Sequence, residues 1–348
     1  MAINRRQFIQ ASVGTTLCTA LPGLQAAETD PTLLIGASRL DTDHYAVSAI
    51  STDGRLHWQL PLPDRGHDVV VHPDNGLGVA IARRPGHYLV LFDVSTGQLL
   101  QQLAVDPAIH LNGHAAWIGN RLVVSASDAH NSQTRLQIYT LNERQLARTG
   151  ERPFDYLGPH EIVFKQGQLV LAIGGLKTEG RTVLNRDTIQ SGVLVLNPNT
   201  LAIEAAYWPD THFVSWRHLT VDNTGQILVA GQNQALDEPS EPLLLSIRNN
   251  TMTPFQVPNL LWDRLQGYIG SIHACGARIL ASSPRAHWLG VFDRSSLSMT
   301  TQVLQHDLCA LTSIEQQAFA ASGTGQLWRD TEPSIQTRII WDNHLTVG

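Results

Sequence analysis

The sequence predicts an all-β fold, a seven-bladed β-propeller closed by pairing the C-terminal strand with the N-terminal strands. Three observations predict it. Short apolar runs alternate with turn residues, and no long amphipathic helical period competes with them. The runs recur in units of roughly 38 to 58 residues, the spacing of propeller blades. The last unit stops after one strand, and the strands it lacks stand at the other end of the chain.

The chain begins with Asn4-Arg5-Arg6-Gln7-Phe8-Ile9, paired arginines followed by an apolar pair. This resembles the twin-arginine export signal. A mildly apolar stretch from Phe8 to Leu21 and a small-residue site at Leu24-Gln25-Ala26 complete it. We therefore expect a signal peptide over residues 1–26, a single propeller domain over 27–348, and a periplasmic location. Gly14, Thr15, Thr16 and Thr19 interrupt the apolar stretch, so no membrane span is expected in the mature chain.

Six units follow in order. Their first strands begin at Gly66-His67-Asp68, Gly113-His114-Ala115, Pro159-His160-Glu161, Arg217-His218-Leu219 and Gly270-Ser271-Ile272, with the sixth around His306-Asp307-Leu308-Cys309. Second and third strands are Gly78-Ala82 and Tyr88-Phe92 in the first unit, and Ile227-Ala230 and Leu243-Ile247 in the fourth. Pro73-Asp74-Asn75-Gly76, Ser95-Thr96-Gly97 and Asp222-Asn223-Thr224-Gly225 supply turns between them. The seventh unit is split. Asn343-His344-Leu345-Thr346-Val347 repeats the His218-Leu219-Thr220-Val221 run, and Thr32-Ser38, Tyr45-Ile50 and Leu56-Leu60 read as its remaining strands. Joining them in one blade removes the open sheet edges.

Composition narrows the function. The chain has 348 residues and a formal charge of -6, which excludes a broad nucleic-acid footprint. It carries 15 histidines against three cysteines and three methionines, so a metal site would be rich in imidazole and oxygen rather than thiolate. Cleavage after Ala26 would leave Cys275 and Cys309, either bridged or buried and free; free is the expectation. No phosphate-binding glycine loop, no Gly-x-Ser-x-Gly elbow and no haem-attachment motif occurs.

The pattern that points to chemistry is a histidine register. His67, His114, His160, His218 and His344 occupy the same place, just before the innermost strand of five of the seven units. In a propeller that place lies at one rim of the central channel. Five neutral imidazoles converging on one axis suit a transition metal such as iron or copper, or an anion if protonated. Arg65, Glu161 and Arg217 flank the slots, Ser271 fills the slot of the fifth unit, and His273 and His306 stand two or three residues off register. Lys177, Arg181 and Arg186, in and after the polar insertion Gly174–Arg181, could hold an anionic ligand or partner. A purely structural origin has equal standing at this level. Some propellers place Gly-His before a strand as a hydrogen-bonding device, with a Trp-Asp pair closing each blade. Here Trp262-Asp263 and Trp341-Asp342 occur, but not once per unit.

Arg65-Gly66-His67, Gly113-His114, Gly158-Pro159-His160-Glu161, Arg217-His218-Leu219 and Gly267-Tyr268-Ile269-Gly270-Ser271 together resemble a known group. Gly180-Arg181, Leu184-Asn185 and Asp187-Thr188 add to the likeness. The group is that of twin-arginine-exported propellers of unknown function encoded beside imelysin-type iron-uptake proteins. The chain departs from it after His114, where Ala115-Ala116-Trp117 replaces a glycine-rich stretch. The resemblance implies a periplasmic role in iron acquisition and an imelysin-type partner. Three functions follow as expectations: a binding module with metal or partner at the histidine rim, a metal-dependent redox enzyme at the same ring, and a metal-free interaction scaffold.

Overall fold

A computed structural model describes residues 32–180, 182–235, 237–238, 241–330 and 332–348. The expected signal peptide and Arg181 lie outside the described residues. The described chain forms seven small antiparallel sheets in a ring, as the spacing predicts.

Six blades are made of four strands taken in chain order. The first runs Gly66–Val71, Leu77–Ala82, Tyr88–Asp93 and Leu99–Ala104. The next five start at Ile109–Ile118, Pro159–Lys165, Val214–Val221, Ser271–Cys275 and Leu308–Ile314. The seventh is the split blade, in which Leu56–Leu62, Tyr45–Ser51 and Leu33–Arg39 are completed by the C-terminus. The closing strand is interrupted: Ile340–Trp341 and Thr346–Val347 both pair with Leu33–Arg39, and His344 stands between the two pieces. Backbone bonds between Leu33 and Gly348 run in both directions and pin the end. Thr346–Val347 packs against Leu308–Ile314 on one side and Gly66–Val71 on the other, which closes the ring.

The inner strands are apolar without alternation because both faces of each blade are covered by neighbours. Along Leu77–Ala82, Leu77, Val79 and Ile81 join the cluster with Leu111, Trp117, Leu122 and Val124 of the next blade. Ala80 and Ala82 face the other way, into the cluster with Ile35, Val47 and Leu60 of the split blade. The period-two geometry of a strand thus sends alternate residues into two different cores. Outermost strands such as Leu99–Ala104 have one open face, where Gln102 and Ala104 are exposed.

Two features depart from the sequence reading. A six-residue helix, Asn259–Arg264, follows Pro258 and buries Trp262; it is too short to leave an amphipathic period. The polar insertion after Gly174 folds back as a small hairpin of Thr178–Glu179 against Thr182–Val183.

Candidate metal centre

Each histidine reaches the channel through a break in strand register. The pairing of the first two strands slips between Gly66 and Asp68, between Leu111 and Ala115, between Pro159 and Ile162, and between Trp216 and His218. His67, His114, His160 and His218 lie within or at the edge of these slips. A bulge adds one residue on one strand and re-aims the side chains beside it. The gap between Ile340–Trp341 and Thr346–Val347 does the same for His344.

The five imidazoles converge. Their ring centroids are 4.7 to 6.0 Å apart in contacts that link all five, with His114 touching each of the other four. All five side chains are buried. Two triads can each bring three ligand atoms within 4.8 Å: His67 with His114 and His344, and His114 with His160 and His218. Gly113 makes room for this packing. It has φ +98°, and a Cβ there would lie 2.3 Å from His67 Cδ2.

Carboxylates stand behind the rings. Asp68 Oδ2 lies 3.2 Å from His114 Nδ1, and Glu161 Oε2 lies 3.2 Å from His218 Nδ1. An ionised carboxylate only accepts, so the imidazole Nδ1 carries the proton and Nε2 keeps its lone pair. Both pairs cross a blade boundary: the acid that follows one blade's histidine holds the histidine of the next. Asp342 of the split blade lies 3.7 Å from His67 Nδ1 and is ion-paired with Arg65. The cluster then leaves buried ring nitrogens with no partner, namely His67 Nδ1, His114 Nε2, His160 Nδ1 and His344 Nε2.

The site favours neutral imidazole. Burial holds His67, His160 and His218 well below the ordinary histidine value, and neighbouring histidines push the same way. Burial likewise brings His344 down to about 4. Burial pushes the Asp342 carboxyl up, but its contacts with His67 and Arg65 outweigh that and hold it well below the usual range. Glu161 is raised by burial. Arg217 is pulled down to about 9 by burial and by the charges of Arg84 and Arg83.

Other residues singled out in the sequence sit differently. Ser271 is buried in a strand whose register is regular, Ser271 opposite Ser282, so no bulge turns it toward the imidazoles. His273 bonds Ser313 Oγ of the following blade at 2.9 Å and joins none of the five-ring contacts among the described residues. His306 stacks on His287 with centroids 4.2 Å apart. Cys275 and Cys309 are free and buried.

The sequence reading passed over Asp68 and Asp342 as the acids behind the rings. Asp68 follows His67 as Glu161 follows His160, and that repeated His-acid pair was the available signal. Cys309 was also missed as the occupant of the sixth slot. Its strand slips register between Leu308 and Ala310, and its thiol donates to the carbonyls of Ala321 and Asp342.

Residues 60–348 match the model of a family described as a protein of unknown function, DUF1513. Among solved structures, the chain is similar to AztD from Citrobacter koseri, with 9% identity, TM-score 0.57, and 91% of this chain and 98% of that one covered. It is similar to hydrazine synthase from Kuenenia stuttgartiensis, with 12% identity, TM-score 0.59, and 84% and 90% covered. A putative 6-phosphogluconolactonase from Bacteroides fragilis gives 14% identity, TM-score 0.59, and 93% and 99% covered. At these identities the likenesses show the propeller fold alone. No curated protein matches the chain.

Proposed function

The chain belongs to the DUF1513 family, and on that footing we propose that it is an exported binding module that holds one transition-metal ion at the five-histidine cluster and serves periplasmic iron handling. The observation that carries the reading is the set of five buried, converging imidazoles, four with an unpaired ring nitrogen and two, His114 and His218, backed by carboxylates. That is the donor set of a metal centre: neutral imidazole inside, hydrogen-bonded acid behind. A cluster that served packing alone would leave several buried nitrogens unsatisfied at a cost of about 1–3 kcal/mol each. His114 belongs to both triads and offers a single free nitrogen, so one ion is held rather than two. Imidazole suits iron, copper and zinc alike; the resemblance to propellers encoded beside imelysin-type proteins favours iron and such a protein as partner.

A second reading has one observation in its favour. Three protein ligands leave an open coordination position, the arrangement of catalytic rather than closed sites. A redox enzyme at the same ring is therefore the competing function.

The test is metal analysis of protein purified after export, without chelators, followed by titration of the metal-free chain with Fe(II), Cu(II) and Zn(II). The proposal expects about one ion per chain, lost in His114→Ala with the fold intact. No bound metal and no affinity for any of the three would overturn it. A metal-dependent absorption band that bleaches with a reductant and returns in air would shift the reading to the enzyme.

A further inference from the structure

We infer that the cavity beside the histidine cluster is a binding site for a small, multiply charged oxygen anion, held by Arg84 and Lys177 in its wall, with the buried charge of Arg217 behind that wall. The cavity is about 460 Å³, the size of a small-molecule site. Arg84, His110, Asn112, Ser127 and Gly158 form part of its wall, and the hairpin after Gly174 supplies Lys177 and Thr178. Asn112 leads directly into Gly113-His114, and Gly158 precedes Pro159-His160, so the cavity shares its wall with the strands that carry the imidazoles.

The two arginines lack a counter-charge. Arg84 has one described contact, Nη1 to Thr178 Oγ1 at 3.3 Å. Arg217 has a weak one, Nη1 to Gln232 Oε1 at 3.4 Å, and its Nε is buried without a partner. Neither makes an ion pair among the described residues. The stem of Arg217 runs past the same wall: a Cβ on Gly174 would lie 4.0 Å from Arg217 Cγ and 2.9 Å from the Gly158 carbonyl oxygen. A guanidinium withdrawn from water with no anion is costly.

The carboxylates at the cavity do not compensate them. Asp128 accepts the His130 and Asn131 N–H groups and lies 3.4 Å from Arg135 Nε. Glu179 is exposed. Asn112 is 2% exposed, and its amide is satisfied on one side only, through Ser127. Because a serine hydroxyl can donate or accept, the amide can turn its NH2 to a ligand. The donor set in the wall is therefore one guanidinium, one ammonium, an amide and a threonine hydroxyl, which suits a phosphate-like oxyanion or a small polycarboxylate. The cavity wall builds the site by itself and does not require the metal.

The experiment titrates the full, metal-free chain with inorganic phosphate and with citrate, following thermal unfolding and heat of binding, against sodium chloride at equal ionic strength. Either anion should raise the melting temperature of the wild type, and which one binds tighter distinguishes the two ligand sources. Arg84→Gln should weaken that anion by about tenfold or more, and Arg217→Gln, whose charge lies behind the wall, by less. Arg217→Gln should also melt higher than wild type when no anion is present, because it removes an uncompensated charge. Arg84→Lys checks that loss follows the guanidinium rather than a failed fold, and should bind measurably but more weakly than wild type. His114→Ala should keep anion binding, which separates this site from the metal reading. No stabilisation of the wild type by either anion, or equal stabilisation of every variant, overturns the inference.

Discussion

His114 Nδ1 stands 3.2 Å from the Oδ2 of Asp68, a residue of the preceding blade. The contact fixes the tautomer of the one imidazole that belongs to both triads. It also ties two blades together at the channel wall, so the centre and the ring geometry depend on each other.

Asp68→Asn should lower metal affinity by about 10- to 100-fold, the usual effect of losing the acid behind a ligating histidine. The amide no longer secures the Nδ1–H form. Competition titration with a chromophoric chelator measures the change, and far-UV circular dichroism should stay unaltered.

The triads predict an unequal response to single substitutions. His114→Ala removes a ligand from both and should abolish binding. His344→Ala breaks one triad and His160→Ala the other, so each single variant should keep one ion at reduced affinity. Elemental analysis of the three proteins, prepared in parallel, would show equal losses if the triads are not the binding units.

The metal-free chain should lose stability in mild acid. Burial holds His67, His160 and His218 well below the ordinary histidine value and His344 at about 4, whereas in the unfolded chain they titrate near 6.5. Between those values the unfolded state binds more protons, so stability rises with pH. It is fully present above about pH 6.5 and declines as the pH falls toward 4. His273, also lowered to about 4 by burial, adds to the same window. Urea midpoints taken across this range give the slope, and bound metal should displace the decline to lower pH.

Gly113→Ala should destabilise the fold by about 1–3 kcal/mol and reduce metal occupancy. The backbone there has φ +98°, which L side chains rarely adopt, and the new methyl would meet the His67 ring. Gly119→Ala is the control: φ is +54° there too, but nothing stands within 4 Å of the added carbon. It should bind metal normally.

Removing the last six residues should open the ring. Pairing of Leu34 with Val347 and of Ile35 with Thr346 would be lost, together with the buried Leu345. His344 goes with them. A fall in melting temperature joined to a tendency to associate through the exposed edge of Leu33–Arg39 is the expected outcome. Size-exclusion chromatography would show it, and an unchanged monomer of normal stability would contradict the closure.

The blades, their number and the closure of the ring can be read from the order of residues alone. Strand periodicity and turn chemistry are local, so the runs at Gly78–Ala82, Tyr88–Phe92 and Ile227–Ala230 are legible without any knowledge of neighbours. Recurrence then brings equivalent positions to equivalent places, which is why His67, His114, His160, His218 and His344 could be read as one ring. Which side chains make up the ring follows from how the strands pair. Bulges re-aim side chains by a single residue, and a bulge is a property of strand pairing that spacing does not reveal. It is pairing that leaves Ser271 and His273 outside the cluster and puts Cys309 in the sixth slot. The acids behind the rings belong to different blades from the imidazoles they face, as Arg84 does from Thr178. Charge and hydrogen-bond balance across a blade boundary exists only once the ring has closed.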